Sequence, residues 1–551
     1  MNTLTNVMQC WWVPTGASRN GVTADLQHAL LDLRRPLVIA DRDGVAAVVR
    51  DGQIAFGEVR PGSDALPVLA FAPALPPEAL GDASFCAQQG IRYAYIAGAM
   101  ANGIASEALV IAMGRAGMLG VFGAAGLSLP RVEQAIDRIQ AALGDLPYAF
   151  NLIHSPAEPG LDDRVVDLYL RRGVRRICAS AFLDLTLAVV RYRFHGIHRD
   201  AAGAVVTPNH VYAKISRVEL ARKFFAPPPP DMLSALVSAG ALTAAQAELA
   251  ATLPVAQDIT AEADSGGHTD NRPALALFPT IAAVRDEMQR KHGYAVPLRV
   301  GAAGGIGTPS AAAAAFAMGA AYVMTGSVNQ ACVEAGTSAA VREMLAQASQ
   351  ADVAMAPAAD MFEMGVKVQV LKRGTMFSVR ARKLYDLYRA HETLDALPAS
   401  ERAVLERDFF RCSLEQEWAQ TRAFFETRDP RQIERAEREP RHKMALVFRS
   451  YLGRASGWAN QGEASRRVDY QIWCGPAMGA FNEWARGSLF DDLSARTVET
   501  VALNIMIGAA VLTRAATIRA QGASLPPEAQ QFPPMPIDRI RALLRPQSTT
   551  V

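Results

Sequence analysis

Neither sign of charge dominates this sequence. Its 551 residues carry 56 Lys and Arg against 54 Asp and Glu, a formal net charge of +2. A chain so balanced has no global field to draw nucleic acid or an anionic membrane. The mixed-sign run 428–441 reads as a solvated surface. Cysteine is scarce. Cys10, Cys86, Cys178, Cys332, Cys412 and Cys474 lie far apart, and no two form a CxxC pair. That argues against a disulfide scaffold and a structural zinc site, and no metal is expected. Long apolar runs are lacking too. The longest, 498–513, is interrupted by Glu499 and Asn504 and ends at Arg514. It falls short of the ~20 residues that span a bilayer and reads as a buried helix. The first residues lack a basic region followed by an apolar core. A cytoplasmic protein with reduced thiols is expected. No GxSxG, HExxH or early GxGxxG motif is present, so a nucleophile elbow, a zincin site and a Rossmann turn have no support.

What is present is an alternation. The first 90 residues are short apolar runs broken by turns, with a hairpin signal at Asp41-Arg42-Asp43-Gly44, and read as a β-rich leader. From residue 91 eight β-type runs follow: 93–97, 119–122, 148–152, 176–179, 211–215, 255–263, 298–302 and 321–325. Ala-rich helical stretches lie between them. Eight alternating units favour a closed (β/α)8 TIM barrel of parallel strands over 91–380. An open doubly wound sheet would need its glycine-rich turn after the first strand, and here those turns come late. The fifth and sixth runs are too far apart for one helix. Pro227-Pro228-Pro229-Pro230 opens a helical insertion, about 226–254, expected to cap or dock. Beyond Gln330 the strand pattern fades. A helical C-terminal region is expected over 381–525, then a Pro-rich tail over 526–551 whose last residues are loose. The stretch 469–484 mixes Tyr470, Trp473, Phe481 and Trp484 with few charges, and is expected to pack on the barrel in a core role.

Three strand-end segments carry the chemistry. Gly301 to Pro309 follows the seventh run and Thr325-Gly326-Ser327 the eighth. The loops after strands seven and eight form the usual phosphate site of these barrels, and glycine lets backbone amides approach a phosphate. After the sixth run, Gly266-Gly267 allows a turn that projects His268 into the barrel mouth. There an imidazole can donate a proton or serve structure alone. Asn151 ends the third run. Lys214 interrupts the apolar fifth run and needs an anionic partner. An internal salt bridge is one candidate, and the N1–C2 edge of a reduced flavin is another.

In that order, Ser265-Gly266-Gly267-His268, Gly304-Gly305-Ile306-Gly307 and Thr325-Gly326-Ser327 resemble the nitronate monooxygenase and flavin enoyl reductase superfamily. Further segments resemble its PfaD family, the trans-acting enoyl reductases of trans-acyltransferase polyketide and polyunsaturated-fatty-acid synthases. They are Asn329-Gln330, 334–338, 356–363, 369–374 and 469–482. The similarity runs from about Trp11 to Arg514. It implies FMN, NADPH as electron source, and an enoyl thioester on an acyl carrier protein of synthase modules as substrate. A homo-oligomer is compatible with it. It places the FMN phosphate on Gly304, Gly305, Gly326 and Ser327, with Gly266, Gly267 and Ala303 beside the cofactor. Met100 matches the loop against the flavin, Asn151 and Lys214 match polar residues facing the ring, and His268 matches the histidine of the reaction centre. The sequence departs at Ala99-Met100-Ala101-Asn102, where monooxygenases usually have a proline before the methionine. The insertion and the helical C-terminal region also depart from simple monooxygenases and favour a carrier-protein reductase. Nitronate oxidation and a non-catalytic carrier-protein scaffold are the rival readings.

Overall fold

A computed structural model describes residues 10–15, 22–23, 26–155 and 158–545. The expected loose end after residue 545 lies outside them, as do the first nine residues. Eight parallel strands close a barrel in sequential order: β1 Tyr95–Ala97, β2 Leu119–Phe122, β3 Ala149–Ile153, β4 Arg176–Ser180, β5 His210–Ile215, β6 Asp258–Glu262, β7 Arg299–Ala303 and β8 Val323–Thr325. Their residues are almost all buried, because strands covered by helices on one side and packed inside a barrel on the other face no water. The (β/α)8 expectation holds.

The two ends of the barrel differ. At the N-terminal end, helix Ala83–Gln89 plugs the opening. Phe85 stacks on Tyr322 with centroids 4.4 Å apart, and Arg299 makes a buried ion pair with Asp258 at 2.6 Å. That end is built for stability. The C-terminal end is left to function.

The leader is a six-stranded antiparallel sheet. Its hairpin turns at Asp43 and Gly44, both with positive φ, the conformation a tight two-residue turn requires. The insertion forms helices Pro230–Ser238 and Ala244–Ala250, the second opened by a capping box from Thr243 and Gln246. It packs outside the barrel against helix Leu187–Phe194. None of its residues lines the barrel mouth, so of the two expected roles it docks and does not cap.

The cap comes from the C-terminal half. Strands Val353–Pro357 and Lys367–Leu371 pair antiparallel, and Gly267–His268 joins them as a third strand. These strands correct the expectation that β-structure ends near Gln330. Val368 and Val370 enter a hydrophobic core with residues of α1 (Leu414–Arg428) and α2 (Pro440–Gln461). Sheet and helical region therefore share one core. α3 (Val498–Ala520) is long and apolar enough to cross a membrane, yet 78% of its apolar window is buried inside the protein. It packs on helix Pro309–Ala317 and on the leader. Arg514, 1% exposed, donates to the carbonyls of Leu30, Asp32 and Arg35 at 2.8–2.9 Å and fixes the leader to α3. The Pro-rich segment is ordered where described. Asn504 exchanges hydrogen bonds with the backbone of Met535, and helix Ile537–Leu544 follows. All six cysteines are free.

Candidate active site

Two connected cavities open at the C-terminal ends of the barrel strands. The smaller spans about 610 Å³, counting space open to solvent, and lies over β7 and β8. The larger, about 2270 Å³ including space open to solvent, extends beneath the helical region. Ala99, Met100, Lys214, Glu262, Gly266 and Trp473 border both.

The smaller cavity is the glycine end. Gly304 and Gly305 turn with φ of 84° and 74°. A Cβ on Gly304 would lie 2.5 Å from the backbone of Ala263, so that glycine is required by packing. A Cβ on Gly305 or Gly326 would meet no protein atom within 4 Å. Both glycines line the cavity, so a side chain there would enter it. Ala303 ends β7 and contributes to the same wall. Ser327 follows Gly326, and its Oγ accepts from the Gly475 amide at 3.1 Å.

Gly266 has a reason that the sequence did not show. A Cβ there would approach the Cys474–Gly475 backbone to 2.9 Å, so this glycine lets the C-terminal region close on the barrel. Gly267 (φ 82°) supplies the turn before His268. Closure brings Trp473, Gly475 and Ala477 to the cavity wall. The segment 469–484 packs on the barrel as expected, but its role is not confined to the core.

Lys214 Nζ lies 2.6 Å from Glu262, at the end of β6. Burial alone would lower the lysine's pKa, but the carboxylate outweighs it and the pKa is raised. The anionic partner is thus internal, and the pair sits where both cavities meet. Asn151, 5% exposed, donates to Cys178 O at 3.0 Å and Ser180 Oγ at 3.1 Å, which fixes its amide at the larger cavity. Met100 belongs to the loop after β1, which lies against the loop after β2: a Cβ on Gly123 would overlap Met100 O.

His268 faces the larger cavity, and Nε2 lies 3.2 Å from Asp360 Oδ1. Burial lowers the imidazole's pKa, but the hydrogen bond and charge of Asp360 outweigh it and raise the pKa overall. Asp360 responds in the opposite sense. Burial raises it, yet the histidine holds it below the usual carboxylate range. Arg449 braces the turn, its Nε donating to Ala359 O at 2.8 Å. Glu262, Asp360, Arg449 and Trp473 are the site residues that sequence reasoning missed. Asp360 lies in a segment that carried the family resemblance, but nothing in the sequence brought it to His268.

The expected residues therefore gather in one space. Met100, Lys214, Gly266, Ala303, Gly304, Gly305, Gly326 and Ser327 line its smaller part, and Asn151, Gly267 and His268 its larger part. Open-faced glycines on the loops after β7 and β8 fit a phosphate, and a buried cation nearby fits the electron-rich edge of a flavin.

Comparison with known proteins identifies the family. The family model described as nitronate monooxygenase matches residues 86–385, and that of the inserted helical domain of [acyl-carrier-protein] S-malonyltransferase matches 391–470. The chain is 50% identical over 447 residues to a polyunsaturated fatty acid synthase subunit of Thraustochytrium sp., covering 80% of this chain and 30% of that protein. It is 46% identical over 436 residues to the polyketide biosynthesis protein PksE of Bacillus subtilis, covering 79% and 56%. The chain thus spans about a third to just over half of these relatives. Among solved structures, the enoyl reductase domain of MlnA from the macrolactin biosynthesis cluster of Bacillus amyloliquefaciens superposes with a TM-score of 0.76 at 39% identity, covering 81% of this chain and 99% of that one. The chain belongs to the nitronate monooxygenase family and, within it, to the PfaD group.

Proposed function

We propose that this protein is an FMN-dependent enoyl reductase that acts in trans on an α,β-unsaturated thioester carried by an acyl carrier protein, with NADPH as electron source. One observation carries the reading. A glycine-walled phosphate seat and the His268–Asp360 pair open into one continuous space, roofed by the helical region. The match to a helical domain of an acyl-carrier-protein transferase, and relatives named for polyketide and polyunsaturated-fatty-acid synthesis, support a carrier-bound substrate and synthase partners.

Gly304, Gly305, Gly326 and Ser327 would hold the FMN phosphate, with Gly266, Gly267, Ala303 and Met100 along the cofactor and Asn151 and Lys214 toward its ring. When bound, FMN supplies the relay that passes hydride from NADPH to the β-carbon of the enoyl group. The residues supply position and charge. Lys214, balanced by Glu262, keeps a cation where negative charge develops without leaving the empty site unbalanced. As the imidazolium that Asp360 favours, His268 would commit Nε2–H to the carboxylate and have Nδ1–H to give to the α-carbon or to hydrogen-bond the thioester oxygen, ending as the neutral ring. Trp473 and the helical region wall the space in which the reacting carbons would sit.

The test is colour followed by turnover. The purified protein should be yellow and should oxidise NADPH when given a crotonyl thioester. A colourless protein would favour the scaffold reading. A yellow one that consumes oxygen with a nitroalkane, and ignores NADPH and the thioester, would favour nitronate oxidation.

A further inference from the structure

Four carboxylates line the larger cavity, and each has a cation of its own. Glu158 pairs with Arg428 at 3.1 Å, Glu262 with Lys214 at 2.6 Å, Glu417 with Arg454 at 2.5 Å and Asp360 with His268 at 3.2 Å. Arg449 is left over. It lines the same cavity, yet among the described residues no carboxylate comes within the 4.0 Å of an ion pair. Its one hydrogen bond, from Nε to Ala359 O, fixes the plane of the guanidinium. The two terminal nitrogens have no protein partner among the described residues. Burial pushes the arginine's pKa down, against the more distant pull of Glu363, Asp360 and Glu158. Arg449 is half-buried, and its two unpaired terminal nitrogens reach the cavity, where an anionic ligand would give the guanidinium the partner that the protein does not. Space for one is present. One helical turn along α2, Gly453 also lines the cavity, and a Cβ there would meet nothing within 4 Å.

Resting on the enoyl reductase reading, we propose that Arg449 is a binding residue that seats a phosphate ester carried by one of the two reactants. A planar fork with two free nitrogens matches phosphate oxygens two at a time. Both reactants carry such a group. One is the phosphate at the head of the pantetheine arm that bears the thioester, and the other belongs to NADPH. In either case the helical region does more than roof the site, because it reads the charged end of a reactant whose reacting end lies near His268.

The experiment is calorimetric binding to the full chain of three ligands: pantetheine, 4′-phosphopantetheine and NADPH. The proteins are the wild type, Arg449→Gln and Arg449→Lys. The wild type should bind 4′-phosphopantetheine at least about tenfold more tightly than pantetheine, and Arg449→Gln should erase that difference. If the loss falls on NADPH instead, the nucleotide is the source of the phosphate. Arg449→Lys, which keeps the charge without the fork, should lose severalfold for the same ligand, and it decides the matter if the glutamine variant does not fold. Equal binding of both phosphate ligands by wild type and variants would overturn the assignment. So would a parallel loss for pantetheine, or a wild type that binds neither phosphate ligand. Binding needs no turnover. A chain that seats phosphate through Arg449 but reduces no enoyl thioester would overturn the enoyl reductase reading and leave this one standing.

Discussion

His268 and Asp360, 92 residues apart in the chain, meet with Nε2 and Oδ1 3.2 Å apart. The contact joins the strand after β6 to the turn after strand Val353–Pro357. Asp360 is thereby a positioning residue for the imidazole. It selects which ring nitrogen faces the substrate and favours the charged form.

The pair has a pH signature. The histidine's pKa is raised above its ordinary 6.5, so its share of the pair's stability is complete below that value and is lost as pH rises through the folded-state value. The aspartate's pKa is lowered below 3.8, so its share is present above that value and is lost as pH falls through the folded-state value. In Asp360→Asn only burial acts strongly on His268, and burial disfavours the imidazolium. The alkaline limit of kcat/KM for enoyl reduction should therefore move to lower pH. A variant whose profile drops in height without moving would make Asp360 merely structural.

The two kinds of glycine at the phosphate seat predict different failures. Gly326 has a φ of −128° and open space where its Cβ would be, so Gly326→Ala should fold normally and bind flavin more weakly. Gly304→Ala combines a φ of 84° with a 2.5 Å approach to Ala263, and should lose stability first. Thermal melts and flavin absorbance on both proteins separate the cases. Equal flavin content in wild type and Gly326→Ala would remove the phosphate from this loop.

Lys214 and Glu262 should behave as a unit. Lys214→Met leaves a mostly buried carboxylate without its cation and should cost about 3 kcal/mol in denaturant unfolding. The double variant Lys214→Met/Glu262→Gln should recover most of that loss while still reducing enoyl thioesters slowly. If the single variant is as stable as wild type, the pair is not the buried charge balance described above.

The barrel should not survive alone. A chain ending at Lys383 loses α1 and α2, against which Val368 and Val370 are buried, and loses the Cys474–Gly475 backbone that closes on Gly266. It should be insoluble or free of flavin. A soluble, yellow fragment would show the helical region to be an independent appendage.

The barrel strands were legible because most are short, mainly apolar runs alternating with helical stretches, as strands buried on both faces tend to be. Strands Val353–Pro357 and Lys367–Leu371 were not. Both are only five residues long, the second carries Lys367 and Gln369, and their apolar partners come from helix Phe377–Ala390 and the helices α1 and α2, far along the chain. The glycine loops could be read from their positions after β7 and β8, whereas the reason for Gly266 lay 208 residues away at Cys474. Lys214 announced its need for an anion, but Glu262 became its partner only once β5 and β6 were paired. Arg449 lay in a helical stretch that no motif singled out. Periodicity reveals which residues are buried, and it is silent on which buried charge goes unmatched.

The central claim is that His268 supplies the proton or the polarisation in the second half of the cycle. It is tested most directly by stopped-flow absorbance of the bound flavin, taken through each half-reaction anaerobically. In His268→Ala, FMN should be retained and its reduction by NADPH should proceed. Reoxidation by a crotonyl thioester should slow by at least about tenfold, within the ~10²–10⁴-fold that general acid catalysis contributes. Reoxidation at the wild-type rate would contradict the account and leave His268 a structural residue.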